Sequence, residues 1–119
     1  MNKKGAVYEE QAAAFLKEAG FRILDRNWSC PMGELDIIAS KGGTVVFVEV
    51  RARSGSGYGL PAETVNRAKR AKLVKTAMAY IKARGLKADT FRFDFVGIQP
   101  GRPPEHIEDA FSADGFGFF

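Results

Sequence analysis

The chain has one cysteine, Cys30, one histidine, His106, and no long hydrophobic run. A single cysteine excludes an internal disulfide and any zinc site built from several thiolates, and it fits a reducing compartment. No apolar stretch approaches the roughly 18 residues of a membrane-spanning helix. Met1-Asn2-Lys3-Lys4 leads into an amphipathic segment and not into a signal-peptide core. The expectation is a cytoplasmic protein with no membrane partner. His106 stands among Glu105, Glu108 and Asp109, which reads as a surface or edge residue rather than a general base. Cys30 has no histidine or basic pair beside it, so thiolate catalysis is not expected. Acid is missing from one stretch as well. From Arg67 to Arg84 every charged residue is basic: Arg67, Lys69, Arg70, Lys72, Lys75, Lys82 and Arg84.

The length of 119 residues fits one domain, 1–119, large enough to bury roughly two thirds of its unfolded surface around one core. The net charge of +4 is modest and suits many soluble proteins. Its distribution is more telling, because the basic stretch would attract a phosphate backbone with steep salt dependence. The plainer alternative is a solvated helix face.

Periodicity gives the element order. Tyr8, Ala12, Phe15, Leu16 and Ala19 form a helical stripe within Ala6–Ala19, stopped by Gly20. Phe21–Trp28 reads as a strand and Ser29–Gly33 as a turn. Two firmer strands follow, near Glu34–Ser40 and Thr44–Arg53, joined by a short hairpin through Gly42-Gly43. Ser54–Gly59 is a loop placed to meet substrate, or only a linker. Pro61 can open a long helix whose stripe is Val65, Ala68, Leu73, Ala77, Tyr80 and Ile81, ended by Gly85. Phe91–Ile98 alternates Phe91, Phe93 and Phe95 with Arg92 and Asp94, as a strand does. Glu105–Phe111 is an edge strand or a short helix. The aromatic tail from Phe111 to Phe119 is expected to dock on its own domain or on a second copy.

Two acids stand out within this order. Alternate side chains of a strand share a face, so Glu49 and Arg51 point one way while Val46, Val48 and Val50 point the other, and Asp36 shares a face with Glu34 and Ile38. A charge inside Val-Val-Phe-Val-Glu-Val is costly to bury alone. Its partner is either a structural cation, Arg51 or Arg53, or a metal shared with Asp36. Hard cations such as Mg²⁺ or Mn²⁺ take one or two carboxylates, waters and substrate phosphate. Glu34 either supports the site or faces solvent, and solvent is the favoured reading. Trp28 reads as a packing residue, and Tyr58 as a residue able to stack on a base.

The set Asp36, Glu49-Val50-Arg51 resembles the PD-(D/E)XK nuclease signature. Over nearly the whole chain the sequence resembles the YraN-like family of uncharacterised bacterial proteins, related to archaeal Holliday-junction resolvases. That likeness rests on Glu9, Ala12, Phe15-Leu16, Gly20-Phe21, Asn27-Trp28, Gly33-Glu34-Leu35-Asp36, Phe47–Arg51, Gly59, Pro61, Lys69, Phe91–Asp94, Glu105-His106-Ile107 and Ala110-Phe111. The resemblance implies an α/β fold with a restriction-endonuclease-like αβββαβ core, a mixed sheet flanked by helices. It implies Asp36, Glu49 and the backbone of Val50 as ligands to Mg²⁺ or Mn²⁺, and Glu9 as a helix-borne acid nearby. Arg51 takes the place of the usual catalytic Lys.

Arg51 is the departure from that pattern. Arginine stays charged, with a pKa above about 12, so it can stabilise charge but not serve readily as a base. Lys69 is the first lysine to test as a replacement. The reading is a metal-dependent endonuclease acting on DNA, branched or junction DNA included, with Lys3, Lys4, Arg53, Arg67, Lys69, Arg70 and Lys72 contacting phosphates. Its competitor is a nucleic-acid-binding module with a degenerate site. A third class is an interaction protein that dimerises through its aromatic tail. Symmetric cutting of a junction would favour a homodimer.

Overall fold

The computed structural model describes residues 3–52 and 66–113, with side chains from residue 6 onward. In chain order the elements are α1 (Lys3–Glu18), β1 (Arg22–Cys30), β2 (Gly33–Lys41), β3 (Thr44–Ala52), α2 (Arg67–Arg84), β4 (Thr90–Ile98) and β5 (Glu105–Phe111). The strands form one sheet in the order β1-β2-β3-β4-β5, and only the β3–β4 pair is parallel. A parallel pair needs a crossover, and the segment containing α2 supplies it. The result is the mixed, helix-flanked α/β sheet of a restriction-endonuclease-like core.

Each face of the sheet carries its own core. On one face α2 contributes Leu73, Val74, Ala77 and Tyr80 against Leu35, Ile38, Val45, Phe47, Phe93 and Phe95. On the other, α1 contributes Ala12, Ala13 and Leu16 against Ile37, Ala39, Val46, Val48, Val96 and Ile98. Trp28 packs edge-on to Tyr80 at 5.2 Å, as its packing role predicts. Phe111 stacks on Phe93 at 4.8 Å, so the start of the aromatic tail docks on its own domain. The rest of the tail lies outside the described residues.

Several boundaries differ from the sequence reading. Ser29–Gly33 is not one turn: β1 continues to Cys30, which pairs with Gly33 across Pro31-Met32. The Glu105–Phe111 segment is a strand, antiparallel to β4 at the sheet edge. Among the described residues helix α2 spans Arg67–Arg84. Asn66 caps it, accepting the Lys69 N–H at 2.9 Å, a bond that satisfies one of the orphan donors of a helix start. Ala68 is exposed, and Thr76 is buried in the stripe, donating to the Lys72 carbonyl at 2.7 Å. Pro61, Val65, Arg53, Tyr58 and the Ser54–Gly59 loop lie outside the described residues.

The turn before β2 is pinned to α2. Gly33 has φ +156°, and a Cβ there would stand 2.8 Å from Thr76 Oγ1. Only glycine lets the strand begin so close to the helix.

Candidate metal centre

Strands β2 and β3 pair from the Lys41↔Thr44 hairpin as far as Ile37↔Val48. Beyond that rung the ladder stops. The Val50 N–H donates instead to Asp36 Oδ2 at 2.9 Å. A backbone group of β3 is therefore satisfied by a carboxylate of β2, which fixes that carboxylate at the mouth of the split. The N–H and C=O of one strand residue point to the same edge, so the Val50 carbonyl faces the same opening.

The facing of β2 reverses at this point. Leu35 lies in the α2-side core and Ile37 in the α1-side core, although residues two apart in a regular strand share a face. Asp36 sits at the reversal and reaches acids from both sides. Toward α2 it lies close enough to Glu49 for its charge to raise that carboxyl. Toward α1, one oxygen each from Asp36, Glu9 and Glu34 lie within 4.8 Å of one another.

Cations line the α2 side. Lys69 Nζ is 3.7 Å from Glu49 Oε1, and Arg51 Nε is 4.0 Å from the same oxygen. Lys69 stands in the first turn of α2, its N–H bonded to the Asn66 cap.

Burial and mutual charge raise the carboxyls of the cluster. Burial, then the charge of Asp36, pushes the Glu49 carboxyl up to about 7; Lys69 and Arg51 only partly offset this. Burial and then Asp36 likewise push Glu9 up to about 7. Asp36 is itself raised, chiefly by burial, against the lowering effect of the Val50 N–H. Glu9 is only 6% exposed, and its Oε1 is buried without a hydrogen-bond partner. An orphaned carboxylate oxygen beside two more acids, all hard oxygen donors, fits Mg²⁺ or Mn²⁺.

The family model described as "Uncharacterised protein family UPF0102" matches residues 8–98. The chain belongs to the UPF0102 family. A UPF0102 protein of Moorella thermoacetica is 45% identical over 96 residues, covering 81% of this chain and 80% of the relative. One from Persephonella marina is 41% identical over 111 residues, covering 93% and 95%. A third, from Rhodococcus jostii, is 44% identical and covers 90% and 94%. None of these names carries an activity, so the chemistry of a UPF0102 protein has to be argued from the site.

For this UPF0102 chain the structure brings Asp36, Glu49, Val50, Arg51, Glu9 and Lys69 into one neighbourhood. Glu34 is exposed, as its sequence context predicts, yet its carboxylate belongs to the cluster. Its position two residues before Asp36 was the available signal. Arg67, Lys69, Arg70 and Lys72 lie in the first two turns of α2 at the site end of β3, with Lys69 and Lys72 exposed. Arg53 and the side chains of Lys3 and Lys4 lie outside the described residues.

His106 is not part of the centre. Its Nε2 lies 2.7 Å from Asp94 Oδ2. Asp94 is fully buried, takes a two-pronged bond from Arg92 at 2.8 Å to each oxygen, and accepts the Asp109 N–H at 3.0 Å. Burial alone would raise this carboxyl, but the bonds from His106, Arg92 and Asp109 outweigh it and hold it below its ordinary range. This network ties β5 to β4. Among the described residues no helix is long and apolar enough to cross a membrane.

Proposed function

We propose that this protein is a metal-dependent endonuclease acting on DNA by phosphodiester hydrolysis. The observation that carries the reading is the Asp36 carboxylate, fixed by the Val50 N–H and near enough to raise Glu49, whose own carboxylate is flanked by Lys69 and Arg51. Asp36, Glu49 and the Val50 carbonyl would hold Mg²⁺ or Mn²⁺, with Glu9 as a further acid. When bound, such an ion polarises the scissile phosphate and makes its water more acidic. Arg51 keeps its charge at any working pH, and with its Nε 4.0 Å from Glu49 Oε1 its guanidinium would stabilise charge building on a phosphate oxygen beside that acid. Lys69 supplies what Arg51 lacks, an amine able to exchange a proton with a water beside Glu49. It approaches from α2, where the usual nuclease lysine would come from β3.

The basic face of α2 supports nucleic acid as the partner. Its exposed Lys69, Lys72 and Lys75 follow one another along a helix with no acid, a pattern suited to sequence-independent phosphate contacts. The direct test incubates the protein with four-way junction, flap, duplex and single-stranded DNA in Mn²⁺ or Mg²⁺. Asp36→Ala and Glu49→Ala should abolish cutting, with branched DNA the preferred substrate. Equal cutting by parent and variants would remove the assignment.

Arg51 favours a second reading, a DNA-binding module whose site no longer turns over. That protein would bind DNA with strong salt dependence and never cut. Gain of cleavage on Arg51→Lys would then identify Arg51 as the inactivating change.

A further inference from the structure

Asn27 is a surface residue of β1 with φ +54°, in the left-handed region that few residues other than glycine and asparagine adopt in isolation. It falls between the pairs Arg26↔Ile37 and Trp28↔Leu35, which places it across from Asp36. The facing of β1 reverses at the same rung as that of β2. Arg26 bonds Glu10 of α1 at 2.9 Å, whereas Trp28, two residues on, packs against Tyr80 of α2. Two neighbouring strands thus reverse together at Asn27 and Asp36. A strand paired to a reversing neighbour must reverse with it or lose the ladder, and one left-handed residue accomplishes that.

We infer that Asn27 is a positioning residue of the centre: its left-handed backbone turns Asp36 toward Val50. What that placement does for a metal rests on the reading above; the backbone role does not. No ligand role is assigned to Asn27, which acts through Asp36.

In metal-free protein, hydrogen exchange at the Val50 amide reports whether Asp36 Oδ2 still accepts its N–H. Asn27→Gly tolerates the positive φ and should keep Val50 protected as in the parent, while Asn27→Ala should speed its exchange several-fold relative to Phe47 and Val48. Unchanged Val50 protection in Asn27→Ala, or protection lost equally in Asn27→Gly, would overturn the role.

Discussion

Asp36 answers to three neighbours at once: the Val50 N–H, the Glu49 carboxyl and the Glu9–Glu34 pair. Crowding acids in this way makes a prediction about pH. The carboxyls of Glu9 and Glu49 sit near 7 in the folded chain against about 4.5 when unfolded. The folded state therefore binds more protons between those values, and stability falls as pH rises from about 4.5 to about 7, then levels. Thermal melts of metal-free protein should give a lower Tm at pH 8 than at pH 5.5, with the gap closing under saturating Mn²⁺ and shrinking in Glu49→Gln. A Tm that rises across this range would contradict the burial assigned to these acids.

Lys69 is the second test at this scale. Lys69→Ala should cut cleavage by about 10²-fold or more, the ordinary contribution of a proton-transferring side chain, while Mn²⁺ affinity falls little. Lys69→Arg should keep DNA binding without restoring rate, because a guanidinium does not exchange the proton. Parental rates in Lys69→Ala would exclude it from the chemistry. Asp94 differs in kind. Removing a buried carboxylate that satisfies Arg92 and His106 leaves their donors stranded, so Asp94→Ala should cost about 3–5 kcal/mol in urea denaturation.

At the scale of elements, the junction of β1, β2 and α2 decides where the acids stand. Gly33→Ala would bring a Cβ to 2.8 Å from Thr76 Oγ1, whose hydroxyl is committed to the Lys72 carbonyl. Strain of this kind costs about 1–3 kcal/mol, and a loss of that size in unfolding free energy by urea denaturation is expected, with weaker Mn²⁺ binding. Strand identities were legible because Phe91, Phe93 and Phe95 alternate with Arg92 and Asp94, and because Gly42-Gly43 marks a hairpin. The edge strand β5 was not, since its register slips where Asp109 takes φ +52°, which blurs the two-residue period. The Asn66 cap of α2 was not legible, because its bond to the Lys69 N–H depends on how the first turn is placed.

The candidate site was legible in part for a similar reason. Asp36 and Glu49 announce themselves as charges in apolar strands. Glu34 and Asn27 do not, because their roles come from a reversal of strand facing that strict alternation forbids. Lys69 could be named from its place after β3, while its 3.7 Å approach to Glu49 depends on how α2 docks.

For the whole molecule, a net charge of +4 conceals a division: acids gather where β2 and β3 part, and basic residues run along α2. Such a division suits a phosphate backbone drawn to the helix and a scissile bond led to the acids. If the helix face binds DNA, Lys72→Ala should weaken binding to every DNA form alike and lower the slope of log K against log salt by about 1. A fluorescence anisotropy titration at several salt concentrations measures both, and an unchanged slope would move the DNA surface elsewhere.

The most direct measurement is a crystal of the protein soaked in Mn²⁺ and recorded at the manganese edge. Anomalous density between the carboxylates of Asp36 and Glu49, within reach of the Val50 carbonyl and lost in Asp36→Ala, is the predicted result. A map with manganese elsewhere, or none at concentrations that saturate known Mn²⁺ nucleases, would contradict the metal centre and the hydrolysis built on it.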